Sequence, residues 1–368
     1  MSHGYPSTCF LRINSNTQYN ELMAGNTTWF TELTGVEEQL HRGANHSRAQ
    51  ASLRVEGAQL VSAVNGREFT VGNLEIPSLG ELRQRTPETP VGHLQIQELV
   101  GDARTLHANS EPNSLFQVAS QANLLEMINP TNTPEMGVGV YEKDATQGPQ
   151  CAIAAGAGTI YRNYFVPMPD GSIGQTRDNQ IDCFAEFSEA LQALADKRRP
   201  LWDMKNGYAL PTKSGLKSVK GLLDTLPETD LDELKKLLRI GIQWDTEVTI
   251  TDEKKLVTQA YCSALPLAYS KFSRGENKDS WQSVAQLVLD ASYEATFLTG
   301  LINYAASGNN TIYLTLIGGG VFGNDPSWIT TAIERSAQKF YNTPLEVNIV
   351  SYQTSNPDVA DLTNRLGM

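Results

Sequence analysis

A strand that runs directly into a glycine-rich loop and a helix is the feature that most restricts how this chain can fold. The stretch TIYLTLIGGGVFGNDPSW covers residues 311 to 328. Its nearly unbroken apolar run from Ile312 to Ile317 is typical of a strand covered by helices on both faces. The apolar spacing that follows predicts a helix over Trp328–Phe340. Free backbone N–H groups and a positive helix end then favour an anion site, although a turn that binds nothing is the alternative.

Length and charge narrow the class of protein. The chain has 368 residues, 40% of them apolar, which predicts one large or two modest domains. A net charge of −12 argues against binding to a nucleic-acid backbone. No apolar run is long enough to span a membrane, and the N-terminus resembles no secretory signal. These features predict a soluble cytoplasmic protein, with export by an unmarked route left open.

The cysteines and histidines predict no metal site. Cys9, Cys151, Cys183 and Cys262 are far apart, so neither a metal-type pair nor a disulfide framework is expected. The five histidines all lie in the first third of the chain, and none is paired at a metal-binding helical spacing. We therefore expect no metal and no resident cofactor.

A second strand, loop and helix lies earlier in the chain. The predicted strand FQVASQAN ends near Asn123, a long loop follows over residues 128–149, and a small-residue helix begins near Cys151. Strands that alternate with helices predict an α/β layer sandwich. In open α/β sheets, ligands gather at the carboxyl ends of the strands. The two glycine loops are therefore predicted to clamp a diphosphate from both sides.

The order of these motifs resembles the macrodomain family, whose fold binds ADP-ribose. LVGDARTL resembles the element whose aspartate takes the adenine amino group, and FQVASQAN resembles the strand that ends in the Asn-Ala-Ala-Asn run. QGPQCAIAAGAG resembles the first phosphate loop, MKNGYALP a Gly-Tyr-x-Leu-Pro segment, and LIGGGVFGNDP the second phosphate loop. The resemblance covers residues 92 to 368 and implies a three-layer α/β/α sandwich with a mixed central sheet and enlarged helical insertions.

The resemblance also implies ligand-binding residues, with ADP-ribose as ligand or product. Asp102 is implied at the adenine and Phe322 over the distal ribose. The implied set is Asp102, Ala103, Ser120, Asn123, Thr146, Gln147, Gly148, Cys151, Gly318, Gly319, Gly320, Val321, Phe322, Gly323 and Asn324. From the residues alone, Cys151 is also interpreted as a packing residue, and Asp325 as the cap of the following helix.

Departures from the macrodomain pattern indicate how the chain is divided into domains and which macrodomain subgroup it most resembles. Residues 1–90 have no counterpart in a minimal macrodomain and are expected to pack on the core as a helical and strand extension. The ADP-ribose-binding domain is expected over 91–368, with a helical insertion at about 170–300. The acidic segment VYEKDATQGP most resembles the bacterial-effector-type macrodomains that remove ADP-ribose from modified protein, including ubiquitin. The pattern does not match the paired glutamates of the poly(ADP-ribose) glycohydrolases.

The acidic residues of the long loop decide between an enzyme and a binding module. Hydrolysis at the distal ribose passes through an oxocarbenium-like transition state, which a nearby carboxylate stabilises or supplies with activated water. Asp144 is the first candidate because it is closest in sequence to Gly148. Glu126 is the second, with Glu142 and Glu135 behind it; a solvated loop acid is the alternative for each.

Three functions follow in order. The first is an ADP-ribosyl hydrolase that acts on ADP-ribosylated protein, the second an ADP-ribose reader without catalysis. The third is a Rossmann-type nucleotide enzyme, which the sequence disfavours because no acidic residue follows a next strand at about 20 residues.

Overall fold

The computed structural model describes residues 28–39, 44–88, 90–195 and 199–367. Cys9, His3 and His41 lie outside this part of the chain. The helices are α1 Trp29–Thr34, α2 Asn45–Ser52, α3 Leu79–Arg85, α4 Ala103–Asn109, α5 Gln147–Ala154, α6 Gly156–Tyr164, α7 Ala185–Leu194, α8 Lys213–Val219, α9 Glu228–Lys236, α10 Gln282–Ser307, α11 Pro326–Lys339 and α12 Pro357–Leu366. The strands are β1 Leu53–Glu56, β2 Gln59–Ser62, β3 Glu68–Thr70, β4 Asn73–Glu75, β5 Gln95–Val100, β6 Leu115–Ala119, β7 Trp202–Lys205, β8 Tyr208–Pro211, β9 Gly241–Glu247, β10 Leu256–Cys262, β11 Thr311–Leu314 and β12 Glu346–Ser351.

A seven-stranded mixed sheet forms the centre, in the order β4-β9-β10-β6-β11-β12-β5. Strands β10, β6, β11, β12 and β5 are parallel to one another, whereas β9 is antiparallel to both β10 and β4. The carboxyl ends of five adjacent strands therefore meet at one edge of the sheet, which is where α/β sheets bind ligands.

Helices cover both faces of this sheet. On β6, Phe116 stacks on His107 of α4, whereas the next residue, Gln117, donates a hydrogen bond of 2.7 Å to Thr296 of α10. Neighbouring residues of β10 also face opposite sides of the sheet: Thr258 bonds to Asn303 of α10, whereas Gln259 bonds to the Cys151 carbonyl of α5. Because successive strand residues point to opposite faces, α4 and α5 lie on one side and α10 on the other. The predicted three-layer α/β/α sandwich with a mixed sheet is confirmed.

The N-terminal extension is joined to the rest of the fold. Strands β1–β3 form a separate antiparallel sheet, but β4 pairs with β9 and so belongs to the central sheet. Glu38 accepts hydrogen bonds from the N–H groups of Val138 (3.0 Å) and Gly139 (2.6 Å). These bonds fix the long loop that precedes α5, so the extension supports that loop as well as the sheet.

The segment expected as a helical insertion at about 170–300 is more mixed than the prediction. It contains α7–α9 and α10, but also β9 and β10 of the central sheet and the β7–β8 hairpin. The hairpin turns at Asn206 and Gly207, both with positive φ, as a two-residue hairpin loop requires. The Gly207 carbonyl accepts a hydrogen bond of 2.9 Å from Ala122 N, which brings Tyr208 to the carboxyl end of β6.

Candidate functional site

A cavity of about 760 Å³ lies across the carboxyl ends of β10, β6, β11 and β12. Both predicted loops line it. The lining is Ala119, Ser120, Gln121, Glu126, Met127, Ile128, Asp144, Ala145, Thr146, Gln147, Gly148, Tyr208, Ala264, Tyr269, Thr315, Leu316, Ile317, Gly318, Gly320, Val321, Phe322, Val350, Ser351, Tyr352, Thr354, Ser355, Asn356 and Pro357. The structure thus brings together loops that are 170 or more residues apart in the printed sequence.

The first loop presents the start of α5 to the cavity. Asp144 Oδ1 accepts hydrogen bonds from Thr146 N (2.9 Å) and Thr146 Oγ1 (2.6 Å), which shapes the turn, and the Thr146 side chain makes no capping bond. The N–H groups of Gln147 and Gly148 are in the first turn and have no acceptor among the described residues. Gly148 is required here because a Cβ would lie 2.2 Å from the Ala119 carbonyl oxygen.

Gln147 adds a side-chain donor to these backbone groups. Its Oε1 accepts a hydrogen bond of 2.8 Å from Ala103 N, and this bond fixes the orientation of the side-chain amide. Nε2 is then buried and has no partner in the described part of the chain. A buried donor without an acceptor is costly unless a ligand or water satisfies it. Gln147, which is among the lining residues, therefore holds an unused buried donor at the start of α5.

The second loop, Gly318–Asn324, forms the opposite wall. Gly318 and Gly323 adopt positive φ angles of 74° and 75°, and Asn324 N donates to the Gly318 carbonyl at 3.0 Å. The intervening N–H groups of residues 320–322 have no acceptor among the described residues. Gly319 does not line the cavity, since its missing Cβ faces Ile329 Cδ1 at 2.9 Å. The loop thus offers backbone donors to the cavity at 320–322.

Three aromatic rings close one end of the cavity. Tyr208 and Tyr269 lie 5.1 Å apart, and Phe322 lies 5.4 Å and 5.8 Å from them, measured between ring centroids. Tyr208 OH donates a hydrogen bond of 2.7 Å to the Met127 carbonyl, which ties the ring to the segment that carries Glu126. Such a cluster offers an apolar face to a sugar ring.

Glu126 is the buried acid of the site. It is only 4% exposed, it lines the cavity, and its Oε1 has no partner among the described residues. Its Oε2 would lie 2.7 Å from a Cβ on Gly148, so the carboxyl group stands against the start of α5. Burial raises the pKa of Glu126 well above its usual range, Arg162 lowers it and Asp144 raises it further. A carboxyl in this setting keeps its proton to higher pH than a solvated one.

The other predicted acids have different surroundings. Asp144 is half-buried and lines the cavity, but its Oδ1 is used in the turn before α5. Glu142 is exposed, accepts a hydrogen bond of 2.8 Å from Trp29 N at the start of α1, and does not line the cavity. Glu135 accepts a bond from Arg177 N and also lies outside the lining. Only Glu126 and Asp144 of the four face the cavity.

Some of the remaining sequence-predicted residues line the cavity, and the others lie behind its walls. Ser120, Thr146, Gly318, Gly320, Val321 and Phe322 line the cavity, whereas Asn123, Cys151, Gly319, Gly323 and Asn324 do not. Asn123 is fully buried and bonds to Leu125 N and Gln180. Burial raises the pKa of the Cys151 thiol, which agrees with packing rather than reactivity.

The element predicted to hold adenine is also outside the lining. Asp102 is the N-cap of α4 and accepts hydrogen bonds from Arg104 N and Thr105 N, while Ala103 N is taken by Gln147. Asp325 caps α11 through Ser327 N and pairs with Lys278 at 2.9 Å, which is the capping role anticipated for it. Neither aspartate needs a ligand to account for its position.

Sequence reasoning missed part of the lining. Met127, Ile128 and Tyr269 were not singled out for the site, and neither was the segment after β12 from Tyr352 to Pro357. A sequence signal existed for Tyr208, which lies within the Gly-Tyr-x-Leu-Pro segment, and for Tyr352, which directly follows a strand. The others approach the cavity only through long-range packing.

Three features of the cavity determine which chemistry it could support. Backbone donors at 147–148 and 320–322 suit an anionic group. An aromatic cluster suits a sugar, and a buried carboxyl next to that cluster suits proton transfer or charge stabilisation. Within the described residues, no group of three His, Cys, Asp or Glu side chains is arranged to hold a metal ion. No described helix is both long and apolar enough to cross a membrane.

Comparison with known proteins gives only distant structural matches. No family model matches the sequence, and no curated protein matches it significantly. The chain is similar to the crystal structure of poly(ADP-ribose) glycohydrolase from Thermomonospora curvata, with 11% identity, a TM-score of 0.41, and coverage of 88% of this chain and 97% of that one. The same enzyme bound to the inhibitor ADP-HPD gives 12% identity, a TM-score of 0.42 and the same coverage.

The enzyme from Deinococcus radiodurans in complex with ADP-ribose is similar at 11% identity and a TM-score of 0.38, covering 80% of this chain and 94% of that one. TM-scores this low assign no activity to the chain by themselves. All three structures are of poly(ADP-ribose) glycohydrolases, so they give no support to the effector-type subgroup predicted from the sequence.

Proposed function

We propose that this protein hydrolyses the bond between the distal ribose of ADP-ribose and an acceptor group, and that Glu126 is the carboxylate acting at that ribose. The observation that carries the proposal is the buried Glu126 carboxyl group: the residue lines a cavity that also carries two sets of free backbone donors, and its Oε1 has no partner among the described residues. A buried unpaired carboxyl lowers stability. Its presence at the end of an anion-binding cavity is explained by a reaction there.

The order of the strands supports one orientation of the ligand. Glu126 follows β6, Tyr269 follows β10 and Tyr208 begins β8. The second glycine loop, with Phe322, follows β11, and Tyr352 follows β12. From β10 to β12 there are three interstrand spacings of roughly 4.8 Å, about 14 Å in all. The diphosphate is placed between the loops at 147–148 and 320–322, with the distal ribose against Tyr208 and the adenosine toward Tyr352.

The proposed chemical step uses one water molecule. Its oxygen bonds to C1″ of the distal ribose as the bond from C1″ to the acceptor breaks. The Glu126 carboxylate takes the proton from the water, and the departing acceptor keeps the bonding electrons and takes a proton from solvent at the open side of the cavity. Glu126 then returns its proton to solvent. The carboxylate also stabilises positive charge on the ribose as it develops. Asp144 contributes a second negative charge at the same end of the cavity.

We further propose that the acceptor is a modified protein side chain, with ADP-ribosylated ubiquitin as one specific candidate. The cavity is open to solvent beside Tyr269 and Val321, where the acceptor would leave; Val321 is 54% exposed. Poly(ADP-ribose), the substrate of the structurally similar glycohydrolases, is a second candidate.

The test is single-turnover release of labelled ADP-ribose at saturating enzyme. The substrates are proteins modified at Ser, Arg or Glu/Asp, modified ubiquitin and poly(ADP-ribose). Calorimetry with ADP-ribose, AMP and ribose 5-phosphate measures binding in parallel. We expect release from at least one substrate and clearly tighter binding of ADP-ribose than of either fragment. Binding without release from any substrate would show a reader module instead, and equal affinity for AMP and ADP-ribose would contradict the two-loop clamp.

A further inference from the structure

Arg162 is a buried cation that the proposed chemistry has not yet used. It lies on α6, is 1% exposed, and has no carboxylate within ion-pair distance among the described residues. Its donors go to neutral groups instead, namely Gln243 Oε1 at 3.3 Å, Thr159 Oγ1 at 3.0 Å and Tyr261 OH at 2.5 Å. Burying an arginine without a directly bonded counter-ion is costly, so its place in the fold calls for an explanation.

A fourth hydrogen bond connects Arg162 to the backbone next to Glu126. Nε donates a hydrogen bond of 3.1 Å to the carbonyl oxygen of Leu124, two residues before Glu126. Leu124 has a φ of 65°, in the left-handed region that a leucine rarely adopts. Gln175 Nε2 joins the same corner by donating to the carbonyl oxygens of Asn123 and Arg162, both at 3.0 Å. The backbone turn that carries Glu126 is thus held in a disfavoured conformation by α6 and its neighbours.

We propose that Arg162 is the positioning residue of this site: it fixes the backbone corner that carries Glu126 and supplies the positive charge that faces the carboxyl group. The inference rests on the proposed role of Glu126. The other ionisable groups around the carboxyl are Asp144, Tyr141, Cys151, Tyr208 and Tyr261.

None of these other groups is cationic, and Asp144 raises the pKa of Glu126. Arg162 therefore opposes both burial and Asp144 and favours the ionised form of Glu126. Tyr141 completes the support, since its hydroxyl accepts a hydrogen bond of 3.0 Å from Glu126 N.

The first experiment measures the charge state of Glu126 without any substrate. Protein labelled with ¹³C at the glutamate side-chain carboxyl carbons is titrated by NMR, with Glu126→Gln identifying the Glu126 signal. In Arg162→Met we expect the pKa of Glu126 to rise by about one unit or more, as removal of a nearby opposite charge does. Arg162→Lys, which keeps the charge, should leave the pKa close to that of the unmutated protein. An unchanged pKa in Arg162→Met would overturn the proposal.

The second experiment follows turnover against pH. In Arg162→Met the acidic limb of the single-turnover rate should move up in parallel with the NMR pKa, lowering the rate at pH 7 at least about tenfold with recovery at higher pH. ADP-ribose affinity should stay within about threefold. Arg83→Met is the matched control, because Arg83 pairs with Asp232 and Glu294 away from the cavity. A uniform rate loss with no movement of the limb would reduce Arg162 to a purely structural role.

A third measurement follows the effect of Glu126 ionisation on Arg162, so it needs no substitution at Arg162. The Arg162 Nε–H resonance should shift with pH at the pKa of Glu126 in the unmutated protein, and this step should vanish in Glu126→Gln. This readout decides the matter even if every Arg162 variant fails to fold, and the absence of the step would contradict the inference. Coupled titration in a protein that releases no ADP-ribose would leave the positioning role standing while the proposed hydrolysis fails.

Discussion

Replacement of Glu126 by glutamine is the most informative change in the site. The amide has the shape of the carboxyl group, and Oε1 has no partner among the described residues whose hydrogen bond would be lost. Glu126 N would still donate to Tyr141 OH, so the backbone corner should be kept. We therefore expect Glu126→Gln to fold and to bind ADP-ribose within about a threefold range of the unmutated protein, because the substitution mainly removes a charge.

The effect on rate should be far larger than the effect on binding. A carboxylate that acts as base or stabilises a developing cation contributes about 10²–10⁴-fold in rate. At about 1.4 kcal/mol per factor of ten, this is roughly 3–6 kcal/mol of transition-state stabilisation. Because the burial of Glu126 raises its pKa, the rate of the unmutated protein should also fall with decreasing pH at a value above that of an ordinary glutamate.

Single-turnover release at saturating enzyme measures this rate directly, with calorimetry for affinity. Glu189→Gln is the control, since Glu189 is an exposed acid on α7 outside the cavity lining. Retention by Glu126→Gln of more than about a third of the rate would refute the assignment of the carboxylate. A loss of ADP-ribose binding equal to the loss of rate would instead mean that Glu126 serves ground-state binding.

The remaining predictions concern three other residues. Asp144→Asn keeps the Oδ1 acceptor for Thr146, so only charge is removed, and single-turnover release should slow about tenfold with binding unchanged; no slowing would exclude Asp144 from the chemistry. Gln147→Glu places a carboxylate at a lining residue beside the free N–H groups of 147–148, so calorimetry should show ADP-ribose affinity at least about tenfold weaker and adenosine affinity unchanged. Burial lowers the pKa of His107 to about 4 from 6.5. The folded state therefore binds fewer protons than the unfolded state between these values, and the free energy of unfolding should fall by up to about 3 kcal/mol as pH drops from 6.5 to 4. In His107→Leu denaturant titrations should show a smaller fall, and an equal fall would contradict this reading.

The elements around each glycine loop could be predicted from sequence because their patterns are local. The apolar run that starts at Ile312 belongs to a strand placed between β6 and β12, and a strand covered on both faces carries no alternation. Asp325 and Pro326 mark the start of α11 by capping and by fixed φ. The small-residue helix was predicted as one element and is two, α5 and α6, separated at Ala155.

Long-range pairings could not be predicted in the same way. No local pattern indicates that β4 would add to β9, or that Glu38 would hold the N–H groups of Val138 and Gly139. The ranking of the loop acids depended on this missing information. Asp144 is close to Gly148 along the chain, but Glu126 Oε2 is within 2.7 Å of the position of a Gly148 Cβ. Distance along the sequence was a poor guide to distance in space because the loop folds back over β6.

The choice between an enzyme and a reader depends on what each needs from the same cavity. A reader of ADP-ribose needs the backbone donors at 147–148 and 320–322 and an aromatic surface, and gains nothing from a buried acid. A carboxylate near a diphosphate even opposes binding, since like charges repel most strongly where water is excluded. This chain nevertheless places Glu126 at the cavity and Arg162 behind it. Two buried ionisable groups that lower stability and do not help to bind an anion are accounted for by charge that develops only in a transition state. For this reason we place hydrolysis ahead of recognition alone.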